Sequence, residues 1–130
     1  MSRFLLDTHA LLWALTEPER LGAQARAVVS AKKNTLFVSA ASAWEIATKQ
    51  RIGKMPHADV IVGGYSRHLE RLGTEHLPIS DEHALLAGRL DWPHRDPFDR
   101  MLVAQAMLES LPIVTVDAAI SGMNGIDVVW

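Results

Sequence analysis

The chain has 130 residues, 48% hydrophobic and 22% charged, a balance that excludes an intrinsically disordered segment. It has no cysteine, so disulfide scaffolds and thiolate metal centres are excluded as well. Thirteen basic against fifteen acidic residues give a net charge of −2, which does not mark a nucleic-acid binder.

The first apolar run, MSRFLLDTHALLWAL, is broken by Asp7 and His9 and is too short to span a bilayer. One soluble, cytoplasmic domain over residues 1–130 is therefore expected. RFLL (Arg3–Leu6) reads as a strand, and helical patterns follow over His9–Leu15 and Ala23–Lys32. A second strand is expected at Leu36–Val38, then helices over Ala40–Arg51 and Ala58–Leu72. A weaker strand, interrupted by Pro78, lies at His76–Ile79. Helices over Asp81–Leu90 and Pro97–Leu111 lead to strands at Pro112–Val116 and Asp127–Trp130, with a short turn at Ala118–Ser121 between them. Apolar runs without alternation suit strands buried on both faces, and intervening helices suit parallel crossovers. The expected architecture is α/β, a small and mostly parallel sheet flanked by helices in three layers.

The acids fall where such a sheet binds ligands, outside the carboxyl ends of its strands. RFLL is followed by Asp7 and Thr8, and IVTV by Asp117. LFVS leads into AASAWEI, which carries Glu45; Asp96 and Asp99 open the helix that feeds the IVTV strand. Taken singly, each has a structural explanation. Asp96 can cap its helix with Pro97 in the first position, Asp7 and Asp117 can cap theirs, and Ser42 and Glu45 have capping-box spacing. Capping does not explain why all five converge. Two carboxylates about 4 Å apart repel by about 4 kcal/mol at an effective dielectric near 20. Either their pKa values rise or a divalent cation neutralises them. Hard oxygen donors without cysteine or paired histidines select Mg²⁺ or Mn²⁺ over zinc. Residues 61–130 concentrate the acid, ten acidic residues against five arginines and no lysine. The histidines at 9, 57, 68, 76, 83 and 94 show no zinc spacing and are read as surface or packing residues, and Trp13 and Trp44 as core.

The ordered set LLDTHALLWAL, SAASAWEIATK, HRDPFDRMLVAQA and IVTVD resembles the PIN-domain family over essentially the whole chain, and within it the VapC-type ribonuclease toxins that carry a DPFDR motif. The resemblance implies a Rossmann-like PIN fold and hydrolysis of RNA with one or two Mg²⁺ or Mn²⁺ ions. By position in these motifs it assigns catalytic roles to Asp7, Glu45, Asp99 and Asp117, metal ligation to the same four with Asp96, and supporting roles to Thr8 and Thr115. Arg95, Arg100 and Lys49 are the candidates for RNA contact. A cognate antitoxin and a homodimer are implied as partners. The alternatives are a catalytically silent PIN domain that binds RNA or protein and, more distantly, a receiver-like signalling domain. The latter wants a lysine after its last core strand, and this chain has none beyond Lys54. Asp7-Thr8-His9 lacks the Asp-x-Asp of a haloacid-dehalogenase phosphatase, and no glycine-loop nucleotide motif is present.

Overall fold

The structure, a computed structural model, describes residues 2–56 and 58–130, so the expectation for His57 lies outside the described residues. Its elements run β1 (Arg3–Leu6), α1 (Thr8–Thr16), a 3₁₀ turn (Pro18–Arg20), α2 (Ala23–Ser30), β2 (Thr35–Ser39), α3 (Ala40–Arg51), α4 (Ala58–Val62), α5 (Tyr65–Leu72) and β3 (Glu75–Leu77). Then come α6 (Asp81–Arg89), α7 (Pro97–Glu109), β4 (Ile113–Val114), α8 (Ala118–Ser121) and β5 (Val128–Val129). The strands form one sheet in the order β3-β2-β1-β4-β5, and every pairing is parallel, where the sequence led us to expect a mostly parallel sheet.

Strand composition follows from burial on both faces. Leu5 and Leu6 are both fully buried, but Leu5 packs with Leu102, Val103 and Ile113, while Leu6 packs with Leu11, Val38 and Ile46. Successive strand side chains point to opposite faces, so a strand with helices on either side must be apolar throughout. Each fully buried leucine contributes about 1.5–3 kcal/mol. Helices α1 to α5 supply the first face, and α7 and α8 the second.

Three expectations needed correction. The helix expected over 58–72 is two, parted at Gly63 and Gly64, since each glycine inside a helix costs about 1 kcal/mol relative to alanine. β3 stops at Leu77 rather than Ile79, because Pro78 has no N–H to extend the ladder. Trp44, expected in the core, is 56% exposed, with its ring edge-on to Phe98 at 4.6 Å between centroids. Among the described residues no helix is long and apolar enough to cross a membrane.

The chain runs outward from β1 through β2 to β3, then crosses back to place β4 on the other side of β1. The reversal makes a switch point between β1 and β4, and a crevice opens there beyond the strand ends.

Candidate active site

Asp7 leaves β1 at this crevice and caps α1, its Oδ1 accepting from Ala10 N at 2.7 Å. Its other oxygen, Oδ2, accepts from the Thr115 hydroxyl at 2.5 Å, just past β4. Thr115 Oγ1 in turn accepts from Asp117 N at 3.0 Å, and Asp117 Oδ1 caps α8 through Ala119 N at 2.9 Å. One hydroxyl thereby ties two of the acids across the switch point.

Glu45 arrives from β2. The cap of α3 is Ser39, whose hydroxyl accepts from Ala41 N at 3.0 Å, so the helix begins at Ala40 and Glu45 sits in its second turn on the buried side. The capping-box reading of Ser42 and Glu45 is thus set aside. Only 3% of Glu45 is exposed. Its Oε1 accepts from the Thr8 hydroxyl at 2.5 Å, and its Oε2 pairs with the ammonium of Lys49 one turn on.

Asp96 caps α7, Oδ1 accepting from Phe98 N at 2.9 Å and Asp99 N at 3.0 Å, with Pro97 in the first turn. Asp99 follows in that turn, and its Oδ2 stands 2.7 Å from His94 Nε2. Capping and convergence therefore hold together for Asp7, Asp96 and Asp117.

Asp7, Glu45, Asp96, Asp99 and Asp117 line one cleft of about 110 Å³ together with Thr8, His9 and Lys49. Their electrostatics are shared. Burial pushes Asp99 up to about 6; His94 opposes the rise, and the charges of Asp96, Asp117 and Glu45 add to it. Burial also raises Asp7, against hydrogen bonds from Thr115 and Ala10, with Glu45 adding to the rise. Burial alone would lower the Lys49 ammonium, but Glu45 at hydrogen-bond distance, with Asp96 and Asp99 further off, raises it instead. Carboxylates held in water-poor surroundings against one another are short of positive charge. Among the described residues, however, no three Asp, Glu or His side chains already stand around one point as metal ligands do. The donors share a cleft without being drawn onto a single centre.

Of the candidate RNA contacts, Lys49 lines the cleft and Arg95 is exposed on the loop before α7. Arg100 is a correction. Its guanidinium turns inward and donates to five main-chain oxygens, those of Ala87, Gly88, Leu90, Trp92 and His94, at 2.7–3.5 Å. A residue so engaged has no donors left for phosphate. His94, read from sequence as surface or packing, instead orients Asp99, and the only hint was its place in the HRDPFDR run. His9 is exposed at the cleft, while the buried His83 faces Glu109 at 3.0 Å and belongs to the contact between α6 and α7.

A parallel, doubly wound sheet with five carboxylates around its switch point defines a Rossmann-like domain built around an acidic cleft. A family model described as the PIN domain matches residues 4–125, and the chain belongs to that family. It is similar to Ribonuclease VapC16 of Mycobacterium tuberculosis (strain ATCC 25618 / H37Rv), 40% identical over 66 residues. That match covers 51% of this chain and 45% of VapC16, so it spans less than half of the curated relative. A solved structure of VapBC2 from Rickettsia felis, bound to a DNA fragment from their promoter, superposes with a TM-score of 0.70 at 16% identity. It covers 97% of this chain and 96% of that one, a likeness of fold.

Proposed function

We propose that the protein is a divalent-metal-dependent ribonuclease and the toxin of a toxin–antitoxin pair. The observation that carries the reading is the set of five carboxylates around one cleft, with burial and mutual repulsion raising Asp7 and Asp99. Such a set favours a cation of high charge and hard oxygen preference, so the donor chemistry fits Mg²⁺ or Mn²⁺. VapC16 carries the name ribonuclease, and this chain is 40% identical to it over the 66 matched residues.

Asp7 and Asp99 would be the most direct ligands, with Asp96 beside them and Glu45 and Asp117 orienting the attacking water. When bound, the ion supplies Lewis-acid polarisation of the phosphodiester and an acidified water. The chain itself fixes the donors. Thr115 and the α1 N-terminus hold Asp7, Thr8 holds Glu45, and His94 holds Asp99. Each of these contacts uses one side of a carboxylate oxygen, leaving further lone pairs for ligation. Arg95, exposed before α7, and Lys49, in the cleft, are the basic groups we assign to RNA phosphates, since the net charge of −2 offers no general attraction. An antitoxin and a second copy of the chain are the partners the family resemblance implies, and the solved structure of like fold is of VapBC2 bound to promoter DNA.

The test is cleavage of single-stranded RNA by protein stripped with EDTA, before and after Mg²⁺ or Mn²⁺ is restored, with Asp7→Asn in parallel. Turnover should vanish on stripping, return with the ion and be absent in the variant. Undiminished cleavage in EDTA, or full activity of the variant, would overturn the proposal.

A further inference from the structure

Among the described residues, Lys49 is the one lysine or arginine lining the acid cleft. Its ammonium pairs with Oε2 of Glu45, and its side chain is 26% exposed against 5% for the glutamate. The other partners of the carboxylates contribute no full charge of certain presence. Thr8 and Thr115 are hydroxyls, the main-chain N–H groups of Ala10, Phe98, Asp99 and Ala119 are neutral, and a histidine is charged only when protonated. A neutral donor on a carboxylate oxygen leaves its negative charge to attract a cation, whereas an ammonium at contact cancels it.

We propose that Lys49 is a tethered counter-ion, which holds Glu45 while the cleft lacks a divalent cation and releases it when one enters. The inference rests on the metal-binding reading above. With Thr8 donating to Oε1 and Lys49 to Oε2, each oxygen of Glu45 already carries one donor, and the ammonium offsets the charge that a divalent cation would meet. Lys49 lies one helical turn beyond Glu45 on α3, so rotation about its four-carbon stem releases the glutamate without moving the backbone. Its side chain is already partly solvated, which gives the freed ammonium somewhere to go. Asp96 and Asp99 line the same cleft as the ammonium, so the counter-ion faces acids of α7 as well as of α3. The device keeps a buried glutamate paired in the absence of metal, and its cost is weaker metal affinity.

The test is isothermal titration of Mn²⁺ into the stripped protein for wild type, Lys49→Met, Lys49→Arg and Asp99→Asn. Lys49→Met keeps most of the stem and removes the charge, and it should bind Mn²⁺ at least tenfold more tightly. Lys49→Arg should stay within about threefold of wild type. Lys49→Met should melt below wild type in EDTA, with the gap closing or reversing in saturating Mn²⁺. A second readout needs no substitution. The chain has four lysines, so the ε-methylene NMR signals of Lys32, Lys33, Lys49 and Lys54 can be assigned. Titration with diamagnetic Mg²⁺ should move the Lys49 signal alone toward its value in a solvated lysine. If Lys49→Met binds Mn²⁺ no better than wild type, or if the Lys49 signal stays fixed at saturation, the counter-ion role is wrong; binding abolished by Asp99→Asn would then still support the metal site. Absence of Mn²⁺ binding in wild type and Lys49→Met alike would overturn both.

Discussion

His94 Nε2 lies 2.7 Å from Asp99 Oδ2, and the backbone of that histidine is held by the residue after the aspartate, Arg100, through its Nη1 at 3.0 Å from His94 O. The start of α7 therefore fixes the loop that in turn orients its own carboxylate. Five carbonyls converge on one planar guanidinium, a geometry that an ammonium with three donors cannot reproduce. Arg100→Lys should cost about 2–3 kcal/mol in urea unfolding and should sharpen no contact elsewhere. A loss below about 0.5 kcal/mol would show that the loop holds without the clamp.

Asp99 gives the metal-free protein a defined pH response. Its folded pKa, pushed up to about 6, lies above the ordinary carboxylate value of 3.8. The stability it contributes is thus complete below about pH 4 and is lost as pH rises through 6. The shift corresponds to about 3 kcal/mol, an upper figure for a group still partly solvated. Asp99→Asn should gain on wild type in EDTA as pH climbs from 4 to 7, which denaturant titrations at stepped pH will show. Saturating Mg²⁺ should shrink that difference by favouring the ionised carboxylate.

Asp7 caps α1 with one oxygen, while the proposed metal role draws on the charge of its carboxylate. An asparagine at position 7 keeps the oxygen that caps α1 while removing a charge that burial disfavours. Asp7→Asn should therefore melt above wild type in EDTA and fail to cleave RNA. Asp7→Ala, which also loses the cap, should melt about 1 kcal/mol less stable than Asp7→Asn.

Thr115 joins two acids through one hydroxyl. Thr115→Val keeps the shape but leaves Asp117 N without its acceptor and Asp7 Oδ2 without its donor, at a cost of about 1–3 kcal/mol. Thr115→Ser should restore most of the loss. Thermal or denaturant melts of the pair measure this directly, and equal stability of the valine and serine variants would contradict the link.

How much of this was legible in the sequence depended on the reach of each side chain. Asp7 follows β1 directly and Asp117 stands three residues past the end of β4, so the strand assignment alone brings both near the crevice, and their short side chains cannot stray far from it. Glu45 was legible once α3 was read from Ala40, because the helical period then turns it inward. Lys49 and Arg100 have long, flexible stems, and sequence shows their charge but not which way they turn: Lys49 goes into the cleft and Arg100 away from it. His94 depends on the path of an irregular loop, which no periodicity records. Trp44 was misread because an isolated tryptophan is usually buried, while here Phe98 covers only part of its ring. The switch point itself needed strand order, and nothing in the sequence of β4 says that it pairs with β1 rather than β3.

The most direct test of the acidic cleft is anomalous diffraction from crystals of the stripped protein soaked in Mn²⁺. The account predicts one or two manganese peaks within ligand distance of Asp7 and Asp99, bounded by Glu45, Asp96 and Asp117, and lost in Asp99→Asn. A cleft empty of manganese at saturating concentration would contradict it.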